Sequence, residues 1–211
     1  MGEVAEDTRI AAENELAERV RALTAAGDDR GAATLVLRHL GPGVFGLLLA
    51  IHANEDDAAD VFSAFSERVW RGLPGFRWES SLRGWAYVIA RNESRRWLEH
   101  QRDRARRRAP ISGLASEIPP EVRTATLSLY RTENRDALAA LRASLPIDEQ
   151  MLLVLRVDRE LSWPELARVF NDGEELSEEA TKREAARLRK RFQLLKEKLL
   201  ALGAERGLRR Q

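Results

Sequence analysis

Apolar residues recur three and four positions apart along nearly the whole chain, and no alternating stretch is long enough for a convincing strand. Side chains sharing one face of an α-helix have a 3.6-residue period, whereas a half-buried strand needs a period of two. The clearest case is the seam Ala185, Leu188, Phe192, Leu195, Leu199 and Leu202. An all-α fold is expected, and 211 residues suffice for one large or two small domains with a real core.

The periodicity is punctuated. Helices are expected at 8–26, 29–40, 44–53, 55–71 and 82–106, then at 134–144, 147–158, 162–170 and 177–202. Gly27 ends the first, and Gly41-Pro42-Gly43 reads as a turn between the second and third. Asn54, Ser162 and Ser177 are suited to N-caps, with acids in the first turns that follow. Between 109 and 133 the period is lost, and Pro110, Gly113 and Pro119-Pro120 mark a linker. The chain thus divides into an acidic N-terminal helical extension (1–28), a helical domain (29–108), the linker, a second helical domain (134–205) and a basic tail (206–211). The extension carries seven acids against three bases, and its narrow apolar face of Leu16, Val20 and Leu23 reads as that of a solvated, dispensable helix.

Net charge is only +1, so partners must be read from where charges lie. From Lys182 to Lys198 there are eight bases and two acids. Arg183, Arg187 and Lys190 stand opposite the apolar seam, flanked by Lys182, Arg189 and Arg191. Solvated helix faces usually mix signs, since i, i+4 pairs of opposite charge stabilise them; a face of one sign suits an anionic partner such as nucleic acid. The preceding LSWPELARVF and NDGEEL make this a helix-turn-helix pattern, with a turn longer than the usual three to four residues. The helix from Leu82 repeats the theme, with eight arginines and three acids from Arg91 to Arg108 and with Leu82, Trp85, Ala86, Ile89 and Trp97 on its apolar side. Trp78 lies in the loop before it, between Arg77 and Glu79, where a ring can lid the core or stack on an unpaired base.

Several function classes fall away. There is no cysteine, hence no disulfide, thiol chemistry or cysteine zinc site. His39, His52 and His100 have no metal-ligand spacing, and no phosphate loop or nucleophile elbow is present, so neither enzyme nor cofactor is expected. The acidic N-terminus is no signal peptide, and the run GVFGLLLAIHA is about half of a membrane span. A cytoplasmic protein without a membrane partner is expected.

The segments EDDAADVFSAFSERVW, RGLPGFRWESSLRGWAYVIARN, LPIDEQMLLVLRVDRELSWPELARVF and SEEATKREAARLRKRF resemble, in order, the extracytoplasmic-function sigma factors of the bacterial sigma-70 family. FRWESSLRGWAYVIARN is close to that family's F-R-G-E-S-S-L-R-T-W-L-Y-R-I-A-R-N, and Leu161-Ser162-Trp163-x-Glu165-Leu166-Ala167 to its L-S-Y-x-E-I-A. The resemblance implies a sigma factor that binds core RNA polymerase and promoter DNA, with room for an anti-sigma factor. Its first domain would open the minus-10 element through Arg77, Trp78, Glu79, Ser80, Ser81, Arg91, Asn92 and Arg95. Its second would read the minus-35 element through Lys182, Arg183, Arg187, Lys190 and Arg191. Asp57, Asp60 and Trp70 would face polymerase. Two departures stand out: Ser63-Ala64 replaces the family's Gln-Glu, and the turn before the last helix is several residues longer. The alternatives are a helix-turn-helix regulator that never engages polymerase and a helical interaction protein with an acidic partner.

Overall fold

The computed structural model describes residues 2–52, 54–107 and 140–205, and every regular element among them is helical. The expected linker and basic tail lie outside the described residues. Helix α1 (Gly2–Ala25) turns into α2 (Asp29–His52) through Gly27. The φ of Gly27 is +76°, and the Gly27 and Asp28 amides bond back to the Thr24 and Leu23 carbonyls. This closes the orphan carbonyls of α1 as a Schellman motif does. The Asp28 carboxylate then caps α2 by accepting from the Gly31 amide at 2.8 Å.

Two expectations fail in this region. Residues 29–52 form one helix, not two divided by a turn at Gly41-Pro42-Gly43. A proline inside a helix lacks its amide bond and crowds the preceding turn, at about 3 kcal/mol. Val44, Phe45, Leu47 and Leu48 follow it directly and are fully buried. Each such side chain contributes about 1.5–3 kcal/mol, so core packing outweighs the local turn preference. The resulting helix has the length and apolarity to cross a bilayer, but here its apolar face packs against α1, α3 and α4. The second correction concerns α1, which is no solvated extension: Val20 is 0% and Leu16 6% exposed, and Leu23 packs on the same core.

Helix α3 (Glu55–Gly72) starts where the sequence placed it. The Asn54 side chain accepts from the Asp56 amide at 2.9 Å, and Ala58, Val61, Phe62, Phe65 and Val69 form its buried stripe. The Phe62 ring meets Phe45 of α2 edge-on at 5.5 Å, an arrangement favoured by the ring quadrupole. A 3₁₀ turn (Leu73–Gly75) and the loop 76–81 lead into α4 (Leu82–Arg107). His52 of α2 bonds the Ser94 hydroxyl of α4 at 2.9 Å, tying the two helices together.

The described chain resumes at residue 140. Helix α5 (Ile147–Leu153) runs on into a π-helical turn (Val154–Asp158). Helix α6 (Trp163–Phe170) opens on a full capping box between Ser162 and Glu165. Residues 171–177 then connect to α7 (Glu178–Glu205), whose first turn is capped by the Ser177 hydroxyl on the Ala180 amide at 3.2 Å. Along α7, Ala185, Leu188 and Leu195 of the expected seam are buried.

The two helical units are not separate beads. Val36, Phe45 and Phe65 of the first share one apolar cluster with Met151, Leu155, Leu166 and Leu188 of the second. The join runs along α4 against α6, and α2 against α5.

Candidate nucleic-acid interface

The first basic surface is built by the loop 76–81 and the first half of α4. Ser81 starts α4 by accepting from the Gly84 amide at 3.0 Å, a capping role that the sequence reading missed. Phe76 packs against Trp85 at 5.0 Å between ring centres and against Trp78 at 4.9 Å, so the loop is pinned to α4 from below. Trp78 is half-buried at φ +62°, a backbone region that costs a bulky residue energy. Arg21 of α1 lies over its ring at 4.6 Å, a cation–π contact.

Three arginines of this surface, buried Arg91 and the more exposed Arg95 and Arg77, meet carboxylates of the second unit. Arg91 is 4% exposed, and its guanidinium lies over the Phe170 ring at 4.8 Å. It bonds the Asp172 carboxylate, and Asp148 at 3.3 Å, both from the second unit. Arg95 also reaches Asp172, at 3.5 Å. Arg77 bridges Glu79 of its own loop at 3.1 Å and Glu175 of the second unit at 3.0 Å. The hydrogen bond that Glu79 shares with Glu175 is the main cause lifting the Glu79 carboxyl above its ordinary 4.5; desolvation adds to it and Arg77 opposes it. Ser81 donates to Glu165 at 3.4 Å. Asn92 and Ser80 are half-buried. The structure thus lays carboxylates of the other unit on Arg77, Ser81, Arg91 and Arg95. The sequence assigned no site role to Asp148, Glu165, Asp172 or Glu175. The acid-rich turn NDGEEL hinted at them, but nothing local told which bases it meets.

The second basic surface is open. Lys182, Arg183, Arg187 and Lys190 are exposed on α7. Lys182 pairs with Glu178 and Arg187 with Glu184 at 3.5 Å, whereas Arg183 and Lys190 make no ion pair among the described residues. Arg191 is half-buried and lines a cleft of about 630 Å³ that it shares with Arg95 and Arg102 of α4. Arg189 instead lies over Trp163 of α6 at 5.7 Å, which fixes α6 against α7. No cluster of acids and histidines able to hold a metal occurs among the described residues.

The expected polymerase-facing residues are dispersed. Asp57 and Asp60 are half-buried near the start of α3, and Trp70 is 54% exposed near its end. Thirteen residues of helix put about 20 Å between Asp57 and Trp70, so they form no single site.

By comparison, residues 36–106, covering most of α2, all of α3 and the loop and nearly all of α4, match the family model for sigma-70 region 2, which is about a third of the chain. No curated protein sequence matches the chain. Among solved structures it is similar to the sigma factor RpoE in complex with the anti-sigma factor NepR from Bartonella quintana. The identity is 19%, over 81% of this chain and 97% of that one, with a TM-score of 0.49.

Proposed function

We propose that this protein is an extracytoplasmic-function sigma factor that joins core polymerase in the cytoplasm and directs it to promoters, itself performing no catalysis. The observation that carries this reading is the match to region 2 falling on the unit that contains the loop 76–81 and the arginine-rich α4. In this reading the loop takes an unpaired base of the minus-10 element, while Arg91 and Arg95 hold the strand's phosphates. Flipping a base out of the stack costs a few kcal/mol, which a pocket and backbone contacts must offset. The exposed stripe Lys182, Arg183, Arg187 and Lys190 binds the minus-35 duplex, mixing phosphate contacts with base-edge contacts in the major groove. Trp70, with Asp57 and Asp60 on the same helix, serves the polymerase side. Core polymerase and promoter DNA are the partners, and an anti-sigma factor is a further one that affinity capture from its own cells would reveal.

Run-off transcription with bacterial core polymerase over a genomic promoter library tests the reading. Discrete transcripts that depend on the protein are expected. Duplex binding without polymerase capture or transcripts would leave a helix-turn-helix regulator instead.

A further inference from the structure

One base of α7 departs from the exposed stripe. Arg191 lies three residues after Leu188 and four before Leu195, both buried, so the apolar seam fixes its place. It is half-buried, lines the cleft of about 630 Å³, and makes no ion pair among the described residues. Arg95 and Arg102 line the same cleft from α4, two turns and about 10 Å of helix axis apart. Arg102 also makes no ion pair among the described residues, and Arg95 meets Asp172 only at 3.5 Å. Two carboxylates share the cleft. Asp148 is drawn to Arg91 at 3.3 Å, while Glu99 stands exposed on α4 between Arg95 and Arg102. Three cations thus gather from two helices with little opposing charge. They repel one another, and an anion bound among them removes that cost.

The rest of the cleft is apolar. Ile51 of α2, Leu98 of α4 and Pro146 with Ile147 line it. Gln150, 6% exposed, donates to the Leu145 carbonyl at 2.8 Å and so holds the bend that carries Pro146. Small-molecule sites have volumes of about 300–1,000 Å³, lie preferentially where two units meet, and combine an apolar lining with a few convergent polar groups. This cleft has all three properties.

We propose that the cleft binds a nucleoside polyphosphate. Its phosphates lie on Arg95, Arg102 and Arg191, its base lies against Ile51, Leu98 and Pro146, and Glu99 accepts from the ribose hydroxyls. Guanidinium groups suit phosphate because their planar fork gives two parallel charge-assisted bonds. The apolar wall and the carboxylate have no use for a bare phosphate, and this is what selects a nucleotide. The site requires neither polymerase nor promoter, so it stands or falls apart from the sigma reading.

Isothermal titration calorimetry of the full chain tests it, with ATP, inorganic triphosphate and adenosine as probes. ATP should bind at one site, and inorganic triphosphate about tenfold more weakly for want of a base. Adenosine should bind more weakly than ATP by at least the same factor. Arg102→Gln and Arg191→Gln should each weaken ATP binding by about tenfold, the usual effect of losing a hydrogen bond to a charged group. Arg102 is exposed, and glutamine keeps a helix-favouring side chain there. Arg38→Gln, on α2 and outside this cleft, should bind ATP as the wild type does. No heat with ATP would mean that these arginines serve only a nucleic-acid strand or nothing, and would overturn the proposal. Triphosphate binding as tightly as ATP would overturn the nucleotide assignment. Unchanged affinity in both cleft variants, or an equal loss in Arg38→Gln, would overturn the site.

Discussion

Trp78 is held from two sides, by Phe76 beneath and Arg21 above, while its backbone sits in a region that large residues avoid. Removing a half-buried indole forfeits about 2 kcal/mol of packing. Trp78→Ala should therefore melt about 4–8 °C lower than the wild type in a thermal scan. A variant that melts normally yet gives no permanganate footprint of an opened promoter would instead make the ring a contact for the strand. His52 offers a different handle. Burial lowers its pKa from the ordinary 6.5 to about 4, so in the folded protein it stays neutral beside Ser94. The unfolded chain takes up that proton first. Stability due to this site is complete above pH 6.5 and is lost as pH falls towards 4. His52→Gln cannot titrate, so its melting temperature should fall less steeply across that window; parallel curves for the two proteins would exclude the effect.

At the scale of elements, legibility followed how local the cause was. Asn54, Ser162 and Ser177 cap the helices the sequence assigned to them, because a cap is settled within four residues. The seam of α7 was legible for the same reason. Gly41-Pro42-Gly43 misled, since its turn preference competes with burial of Val44 to Leu48, which depends on α1, α3 and α4 being in place. Helix α1 misled likewise: three apolar residues look too few for a core helix until a groove awaits them. Deleting residues 1–25 should cost about 4 kcal/mol from Leu16 and Val20 alone, a large part of the 5–15 kcal/mol of a typical domain. The truncated chain should unfold at markedly lower urea, and an unchanged midpoint would restore α1 to the status of an appendage. The basic stripe of α7 predicts a separate outcome. Replacing Arg183, Arg187 and Lys190 together by alanine should weaken duplex binding and flatten the slope of log affinity against log salt, since fewer counterions are released. A slope equal to that of the wild type would place the duplex elsewhere.

At the scale of the whole molecule, the sequence revealed two helical units but not that they close on each other. Arg91 and Asp172 are 81 positions apart, and each alone reads as an ordinary surface charge. Only the fold shows that the basic edge of one unit matches the acidic edge of the other over a shared apolar cluster. That continuity has a thermodynamic consequence. Two domains joined only by a linker unfold independently, each with its own midpoint. Here Met151, Leu155 and Leu166 of the second unit belong to the same buried cluster as Val36, Phe45 and Phe65 of the first. Opening the interface would expose apolar surface on both sides, so loss of one unit weakens the other. The full chain should then melt in one transition, with tryptophan fluorescence and far-ultraviolet circular dichroism giving the same midpoint. Trp78, Trp85 and Trp97 report on the first unit, and Trp163 on the second. Replacing Trp163 by phenylalanine leaves fluorescence from the first unit alone, through Trp70, Trp78, Trp85 and Trp97, while circular dichroism still sees both. Coincident curves for that variant mean that the two units share one core; separated midpoints would mean that they unfold independently.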